Sequence, residues 1–229
     1  MEDNLIPYVE FLGLPGCGKS YFSHKVADAL RGEGYKIIEP SWELDHIYGR
    51  WGRAMKKSIM ALLFTLKCPK IAKEIKRIIR NCGISRLDGS RFERNILYKA
   101  YLLTQRRKVI LFFDEGLSQA AVSLSINGGK PTLQIYEELI AALSLPQKSL
   151  LIRIVCDIDT VLLNMNMRTS QDSQVEKFDN VEKKKDYLLQ YKKNCESIVL
   201  PRVFDIMIDR NDSIVVNQIV NFLRQEVAW

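Results

Sequence analysis

Residues 9–22 read VEFLGLPGCGKSYF and contain the motif G-x-x-x-x-G-K-S at residues 13–20. In this motif a glycine-rich turn joins a strand to a helix, and its backbone N–H groups and the helix N-terminus point at phosphate groups. The sequence predicts both the strand and the helix that the motif requires. An apolar strand candidate, Tyr8–Leu12, precedes the turn, and a helix candidate, Lys19–Arg31, follows it. The pattern therefore predicts a phosphate-binding loop for a nucleotide.

The residues of this loop have distinct expected roles towards ATP and a magnesium ion. The side chain of Lys19 is expected to reach the β- and γ-phosphates, and the hydroxyl group of Ser20 is expected to bind Mg²⁺. Cys17 is expected to fill space in the loop rather than to act as a redox group. The predicted nucleotide-binding residues of the loop are Gly13, Pro15, Gly16, Cys17, Gly18, Lys19 and Ser20.

Two acidic residues follow a second apolar strand. Residues 109–113, VILFF, are apolar throughout, which is typical of a strand covered on both faces, and Asp114 and Glu115 come next. A carboxylate at the end of a strand beside a phosphate loop suits a ligand position of Mg²⁺, and Asp114 fits that role. The alternative is that Asp114 caps the helix that starts in DEGLSQAAVSL. Glu115 keeps a hydrolase among the possible functions, because in an ATPase a glutamate at this position orients the attacking water.

Short apolar runs alternate with helical patterns, which predicts an α/β fold with a parallel sheet covered by helices on both faces. Strands two and three are about seventy residues apart, too far for one crossover helix, so we expect an inserted helical lobe at residues 42–106. The remaining strand candidates are Tyr35–Glu39, Leu150–Cys156 and Phe204–Ile208. The remaining helix candidates are Ile59–Arg80, Phe92–Arg106, Leu133–Leu143, Ile158–Arg168, Val181–Ile198 and Ser213–Glu226.

The composition indicates a globular chain. With 229 residues, of which 47% are apolar, the chain can form a sizeable core, and we treat residues 1–229 as one domain. The cysteines are odd in number and form no C-x-x-C pair, and no secretory leader is visible, which together predict a cytoplasmic protein. The longest apolar patch, Ile59–Leu66, is much shorter than the roughly 20 residues of a membrane span.

The positive charge is concentrated in one segment. Residues 50–80 contain ten basic residues and one acid, a charge of +9, so the rest of the chain carries −2. One interpretation is a pair of helices that pack by their apolar stripes and leave a solvated basic face. The other is contact with an anionic partner, which is the acceptor's phosphate, a nucleic acid, or acidic lipid at the membrane periphery. A homodimer is also compatible with the sequence. The stripes are Ile59, Leu62, Leu63 and Leu66, and Ile71, Ile75, Ile78 and Ile79.

Four stretches together resemble the thymidylate kinase and deoxynucleoside kinase group of small P-loop kinases, over nearly the whole chain. They are GLPGCGKS, IIEPSWE, RRKVILFFDEG and VCDIDTVLLNMNMRTSQDS. The resemblance implies a three-layer α/β/α fold with a five-stranded parallel sheet in the order 2-3-1-4-5, a helical substrate lobe, and an arginine-bearing lid at residues 168–180. It also implies transfer of the γ-phosphoryl group of ATP, with Mg²⁺, to a small-molecule acceptor: a nucleoside, a nucleotide or a sugar-type hydroxyl or phosphate.

Further site residues follow from the resemblance alone. Glu39 matches the acidic residue that faces the acceptor and takes its hydroxyl proton in the nucleoside kinases, and Arg94 lies near an acceptor-contacting arginine. Arg168 matches a lid arginine that meets the transferring phosphoryl group, and Arg210 follows the last strand, where the adenine ring is held. Each has a simpler alternative: Glu39 caps the turn before Pro40, Arg168 caps a helix C-terminus, and the other two arginines are solvated.

The chain departs from the family at one position. The family has an arginine after the acidic residue that ends strand three, where this chain has Glu115. That arginine helps to hold a nucleotide acceptor, whereas an acid suits hydroxyl groups such as those of a sugar. Three classes remain: a kinase, an ATPase that hydrolyses through Asp114 and Glu115 to drive a partner, and a nucleotide-dependent switch. The lid-like stretch favours the kinase, because a lid excludes water, and the absence of an N-K-x-D motif disfavours a GTPase switch.

Overall fold

The computed structural model describes residues 8–105, 109–144, 149–167, 175, 178, 180–200, 202–208 and 212–226. Within them one parallel sheet is formed by β1 (Tyr8–Gly13), β2 (Ile37–Ile38), β3 (Ile110–Phe113), β4 (Ser149–Val155) and β5 (Val203–Met207). The strand order is β2-β3-β1-β4-β5. The expected α/β class and the expected order 2-3-1-4-5 of the P-loop kinase type are thus confirmed.

The helices lie on both faces of this sheet. Because parallel crossovers are right-handed, connections that run in opposite directions across the sheet place their helices on opposite faces. The β1-to-β2 connection runs one way, and the β3-to-β4 connection runs the other. The helices are α1 (Lys19–Gly32), α2 (Pro40–Ile47), α3 (Arg50–Lys67), α4 (Pro69–Asn81), α5 (Arg86–Leu103), α6 (Leu117–Gly128), α7 (Thr132–Ala142), α8 (Ile158–Asn166), α9 (Val181–Glu196) and α10 (Asp212–Glu226). Accordingly, α1 packs with α10, whereas α6 packs with α7 and α9.

Two predicted elements differ from the structure in the segment between β2 and β3. The strand predicted at Tyr35–Glu39 pairs only at Ile37–Ile38, because Pro40 begins α2 directly after Glu39 and turns the chain away from the sheet. The single helix predicted at Ile59–Arg80 is two helices, α3 and α4. They separate at Pro69, which lacks an N–H group and is therefore favoured at the first position of α4 and disfavoured inside a helix.

The buried apolar residues form one large cluster and a smaller second cluster around Tyr8, Leu111 and Phe113. The four residues of β3 and all six residues of β1 are buried, as expected for strands covered on both faces. Among the described residues, no helix is both long and apolar enough to cross a membrane.

A buried carboxylate joins the sheet to α6. Glu10 lies in β1 with 1% of its surface exposed. Its carboxylate accepts hydrogen bonds from the N–H groups of Leu117 and Ser118, both at 2.9 Å, and from the hydroxyl group of Ser118. These N–H groups are in the first turn of α6, whose N-cap residue is Gly116 and has no side chain to cap the helix. The N-terminus of α6 therefore compensates the buried charge.

We expect Gly116→Ala to lower the free energy of unfolding by about 1–3 kcal/mol, because the added methyl group overpacks this contact. A Cβ atom on Gly116 would lie 2.2 Å from Cδ of Glu10. The matched control is Gly32→Ala, where a Cβ atom meets nothing within 4 Å. Urea denaturation of both variants gives the measurement. Equal stability of the two variants would show that the contact tolerates a methyl group and is not close-packed.

Candidate active site

The loop between β1 and α1 depends on glycine at several positions. Gly16 and Gly18 have φ values of +89° and +84°, in the left-handed region that favours glycine. A Cβ atom on Gly16 would lie 2.9 Å from the side chain of Met165, and one on Gly13 would lie 2.7 Å from the carbonyl oxygen of Ile154. The loop therefore packs closely against β4 and α8, and its shape requires the glycines of the motif.

Cys17 is fully buried in this loop. Its sulfur atom lies 2.8 Å from the position that a Cβ atom on Gly13 would occupy, so the thiol fills the space that this glycine leaves. This placement agrees with the expected packing role.

The side chain of Lys19 is held inside the loop. Its Nζ atom donates hydrogen bonds to the carbonyl oxygens of Gly13 at 3.0 Å and Leu14 at 2.9 Å, and 7% of the residue is exposed. Both acceptors are neutral, and a buried cation is compensated better by an anion than by neutral groups. An entering phosphate group is therefore a favourable partner for this ammonium group.

Ser20 and Asp114 meet at the end of the loop. The hydroxyl group of Ser20 donates to Oδ2 of Asp114 at 2.7 Å. The other oxygen of Asp114, Oδ1, is buried and has no hydrogen-bond partner among the described residues. A hydroxyl group and a carboxylate with an unused oxygen fit the oxygen ligands that Mg²⁺ prefers. The first N–H groups of α6 donate their hydrogen bonds to the carboxylate of Glu10, and the N-cap residue of this helix is Gly116. Asp114 therefore does not cap α6.

A pocket adjoins this pair. It has a volume of about 140 Å³, is open to solvent and lies between α1, α2 and the end of β3. The lining residues are Ser20, Ser23, Glu39, Ser41, Trp42, Asp45, His46, Phe112 and Asp114.

Glu39 is a buried carboxylate in the wall of this pocket. Its Oε2 atom lies 2.8 Å from the guanidinium group of Arg31 and 3.0 Å from Nδ1 of His24. Glu39 is the N-cap residue of α2, but its side chain makes no capping hydrogen bond, so the turn-cap alternative does not describe it. The opposite nitrogen of His24 faces Asp28 at 3.3 Å. One ligand atom each of His24, Asp28 and Glu39 lie within 4.8 Å of one another, a spacing that could hold a metal ion, but the guanidinium group of Arg31 already contacts both carboxylates.

Trp42 forms another part of the pocket wall. Its indole ring stacks on the imidazole of His24, with centroids 3.5 Å apart and planes at 12°, and on that of His46, at 4.0 Å and 27°. At these distances the two imidazoles lie on opposite faces of the indole. The stack therefore joins α1 to α2 and leaves neither face of Trp42 open to a substrate ring.

Two lysines that the sequence analysis did not single out lie near the acidic pair. Lys99 of α5 donates a hydrogen bond from Nζ to the carbonyl oxygen of Gly116 at 3.0 Å. Burial lowers the pKa of Lys99, against the effect of Glu115 and Asp114, which raise it. Burial and the charge of Lys99 lower the pKa of Lys57, and Glu115 raises it. Nothing in the local sequence distinguishes these lysines from solvated ones, because only the fold brings them to the carboxylates.

Gln119 of α6 connects the loop to α9. Its Oε1 atom accepts a long hydrogen bond of 3.5 Å from the N–H group of Gly13, and its Nε2 atom donates to the hydroxyl group of Tyr191. The same hydroxyl group lies 3.3 Å from that of Ser123. The helix that Glu10 holds thus also contacts the backbone of the phosphate loop.

The other predicted site residues have different placements. Glu115 is exposed and is not among the residues that line the pocket. Arg94 is half-buried in α5 outside the pocket lining, and its buried Nε atom has no hydrogen-bond partner among the described residues. Arg168 and Arg210 lie outside the described residues, as does most of the predicted lid at 168–180. The structure therefore brings Ser20, Glu39 and Asp114 to one pocket, and the roles of the arginines stay predictions.

Comparisons with known proteins add little to this geometry. No family model matches the chain, and no curated protein matches it. Among solved structures, the chain is similar to a gluconokinase from Sinorhizobium meliloti 1021, with a TM-score of 0.46 and 14% identity over 96% of this chain and 93% of that chain. It is also similar to APE1195, with a TM-score of 0.37 and 15% identity over 96% of this chain and 95% of that chain. Likeness at this level carries no inference about activity, so the fold class rests on the sheet order and the site on its own contacts.

We expect Asp114→Asn to weaken the magnesium dependence of nucleotide binding, because the amide still accepts a hydrogen bond from Ser20 but lacks the negative charge. In a titration of Mg²⁺ at constant ATP, followed by thermal unfolding, the Mg²⁺ concentration at half-maximal stabilisation should rise about tenfold or more. The control is Asp159→Asn, which removes an exposed carboxylate on α8. An unchanged Mg²⁺ titration for Asp114→Asn would exclude this carboxylate as a metal ligand.

Proposed function

We propose that the protein is an ATP- and Mg²⁺-dependent phosphotransferase that moves the γ-phosphoryl group of ATP to a small-molecule acceptor. The observation that carries the proposal is the contact between Ser20 and Asp114 in the wall of a pocket that also contains Glu39. A pocket beside the phosphate end of the loop offers an acceptor a position next to the group to be transferred. A nucleotide-dependent switch without chemistry needs no such pocket.

The nucleotide would be held by the loop at residues 13–20. Lys19 would exchange its two carbonyl acceptors for the β- and γ-phosphates, which provide the anionic partner that the buried ammonium group lacks in those two bonds. Ser20 and the unused oxygen of Asp114 would bind Mg²⁺. Bound there, the ion would neutralise charge that develops on the phosphate oxygens.

The acceptor would occupy the pocket between α1 and α2. Glu39 lies in its wall with Arg31 and His24 holding one carboxylate oxygen, which positions the group to take a proton from an acceptor hydroxyl. Family resemblance adds three arginines to the proposal: Arg94 at the acceptor, Arg168 at the transferring phosphoryl group and the lid, and Arg210 at the adenine.

The charges around Asp114 favour an acceptor with both hydroxyl groups and a negative charge. Lys57 and Lys99 are close enough to Glu115 for its charge to affect both of their pKa values. Ammonium groups bind an anionic acceptor, and a carboxylate accepts hydrogen bonds from hydroxyl groups. A sugar acid, a sugar phosphate or a nucleotide fits this pattern better than a neutral nucleoside.

An ATPase that uses Glu115 to orient water is the competing proposal. Glu115 follows Asp114 directly, but it is exposed and outside the pocket that Ser20 lines. This placement gives no support to a role at an attacking water, and the proposed role at the acceptor rests on the charges of Lys57 and Lys99 near Glu115.

Replacing Lys19 by alanine is expected to abolish turnover and the stabilisation of the fold by Mg·ATP, because the point charge for the β- and γ-phosphates is lost. Thermal unfolding with and without Mg·ATP, together with ADP release, provides the measurement. The control is Lys25→Ala, which removes an exposed lysine from the same helix. A Lys19→Ala protein that is still stabilised by ATP and still turns over would show that the loop does not bind the nucleotide.

Glu115→Gln separates transfer from hydrolysis. As a kinase, the wild-type protein should release ADP only with an acceptor from a panel of nucleosides, nucleotides, sugars, sugar acids and sugar phosphates. The variant should then mainly raise the KM for the acceptor, since a carboxylate that binds hydroxyl groups contributes equally to the ground and transition states. The exposed Glu137→Gln serves as the control.

The opposite result defines the ATPase. It would be steady ADP release by the wild type without any acceptor, together with a Glu115→Gln variant that binds ATP but does not turn it over. That pair of results would overturn the kinase proposal.

A further inference from the structure

The apolar stripe of α3 faces solvent. Trp51 is 89% exposed, Leu62 is 59% exposed and Leu66 is 69% exposed. Met55, Ile59 and Leu63 lie on the same side at helical spacing and are also exposed. We call this surface the α3 outer face: Trp51, Met55, Ile59, Leu62, Leu63 and Leu66.

This exposure overturns the packing interpretation for one of the two basic helices. The stripe of α4 is mostly buried, as expected, with Ile75, Ile78 and Ile79 in the core. Helix α3 instead packs against α5 through its opposite side, where Ala61 and Phe64 are buried. The α3 outer face is thus a second apolar side that no described element covers.

Exposed basic side chains lie in the same segment of the chain as this face. The segment 50–80 carries a charge of +9. Within it, Lys67 at the end of α3 and Lys70, Lys73 and Arg80 on α4 are exposed. An amphipathic helix with an exposed apolar stripe that includes a tryptophan, beside a run of exposed cations, has the composition of helices that lie in the interface of a membrane.

We propose that the α3 outer face docks the protein on an anionic lipid bilayer. The apolar side chains enter the boundary between headgroups and acyl chains, and the neighbouring lysines remain at the level of the phosphate groups. The opposite charges of the segment and the lipid headgroups select this partner. The helix lies parallel to the membrane, and the site on the other side of α3 stays open to nucleotide.

Charge argues against a second copy of the chain, and the apolar stripe argues against nucleic acid. A second copy of this chain would bring another segment of charge +9 to the same interface, and like charges repel. Nucleic acid would pair with the cations, but its phosphate backbone gains nothing from an exposed stripe of Trp51, Leu62 and Leu66. A bilayer with anionic headgroups offers an apolar interior to the stripe and negative charges to the cations.

Vesicle co-sedimentation tests the proposal. The wild type should bind vesicles of phosphatidylcholine mixed with phosphatidylglycerol, bind weakly to phosphatidylcholine alone, and lose affinity as salt is raised. The triple variant Trp51→Gln, Leu62→Gln and Leu66→Gln should bind the mixed vesicles about tenfold or more weakly. A charge variant, Lys67→Gln, Lys70→Gln and Lys73→Gln, should lose about tenfold or more as well.

Matched controls separate this surface from general stickiness. The apolar control is a double variant that removes exposed apolar side chains elsewhere, Leu189→Gln with Val199→Gln. The charge control is a triple variant that removes exposed lysines elsewhere, Lys36→Gln with Lys183→Gln and Lys193→Gln. Both controls should bind as the wild type does. Every variant should keep the wild-type melting temperature and its stabilisation by Mg·ATP, because the exchanged side chains are exposed and outside the site.

Four results would overturn the proposal. The first is no binding to the mixed vesicles, and the second is equal loss in the test and control variants. The third is a wild-type dimer in sedimentation velocity that the apolar triple variant converts to a monomer, which would assign the face to a second copy. Binding to nucleic acid but not to vesicles, lost in the charge variant alone, would assign the cations to nucleic acid.

Discussion

The carboxylate of Glu10 at the N-terminus of α6 is the interaction on which the geometry of the site depends. A buried carboxylate is costly unless hydrogen bonds compensate it, and here the N–H groups of Leu117 and Ser118 do so. The contact holds α6 against β1, and α6 reaches the phosphate loop through the hydrogen bond of Gln119 to Gly13. Asp114 lies two residues before Gly116, the N-cap residue of the same helix. One buried charge therefore sets both the loop and the proposed metal ligand.

The pocket depends on the early end of β2. Because Pro40 starts a helix directly after Glu39, the chain leaves the sheet and α2 lies beside α1. The stack of Trp42 between two imidazoles and the contact of Arg31 with Glu39 then join these helices. The result is a cavity with the carboxylates of Glu39 and Asp114 in its wall, which are the proposed proton acceptor and metal ligand. The balancing ammonium groups come from helices inserted between β2 and β3.

Helix α3 has a different role on each side. Its inner side packs on α5 and carries Lys57 close to the charges of the site, while its outer face is apolar and exposed. Lys57 lies on the inner side, and burial there lowers its pKa although the residue belongs to a basic segment. The outer face explains why so apolar a helix occurs in the most basic part of the chain, if the partner is an anionic bilayer.

The sequence by itself determined the phosphate loop and the strands around it, because these depend on contacts between near neighbours. The glycines, Lys19 and Ser20 act within one turn, and a short, fully apolar run such as β3 is typical of a strand covered on both faces. The separation of α3 from α4 at Pro69 was available from the same local rule and was missed. The tertiary structure alone decided that Glu10 compensates α6, that Lys99 lies beside Gly116, and that the stripe of α3 points outward. Periodicity shows that a helix has an apolar side, but only the packing of distant segments decides whether anything covers it.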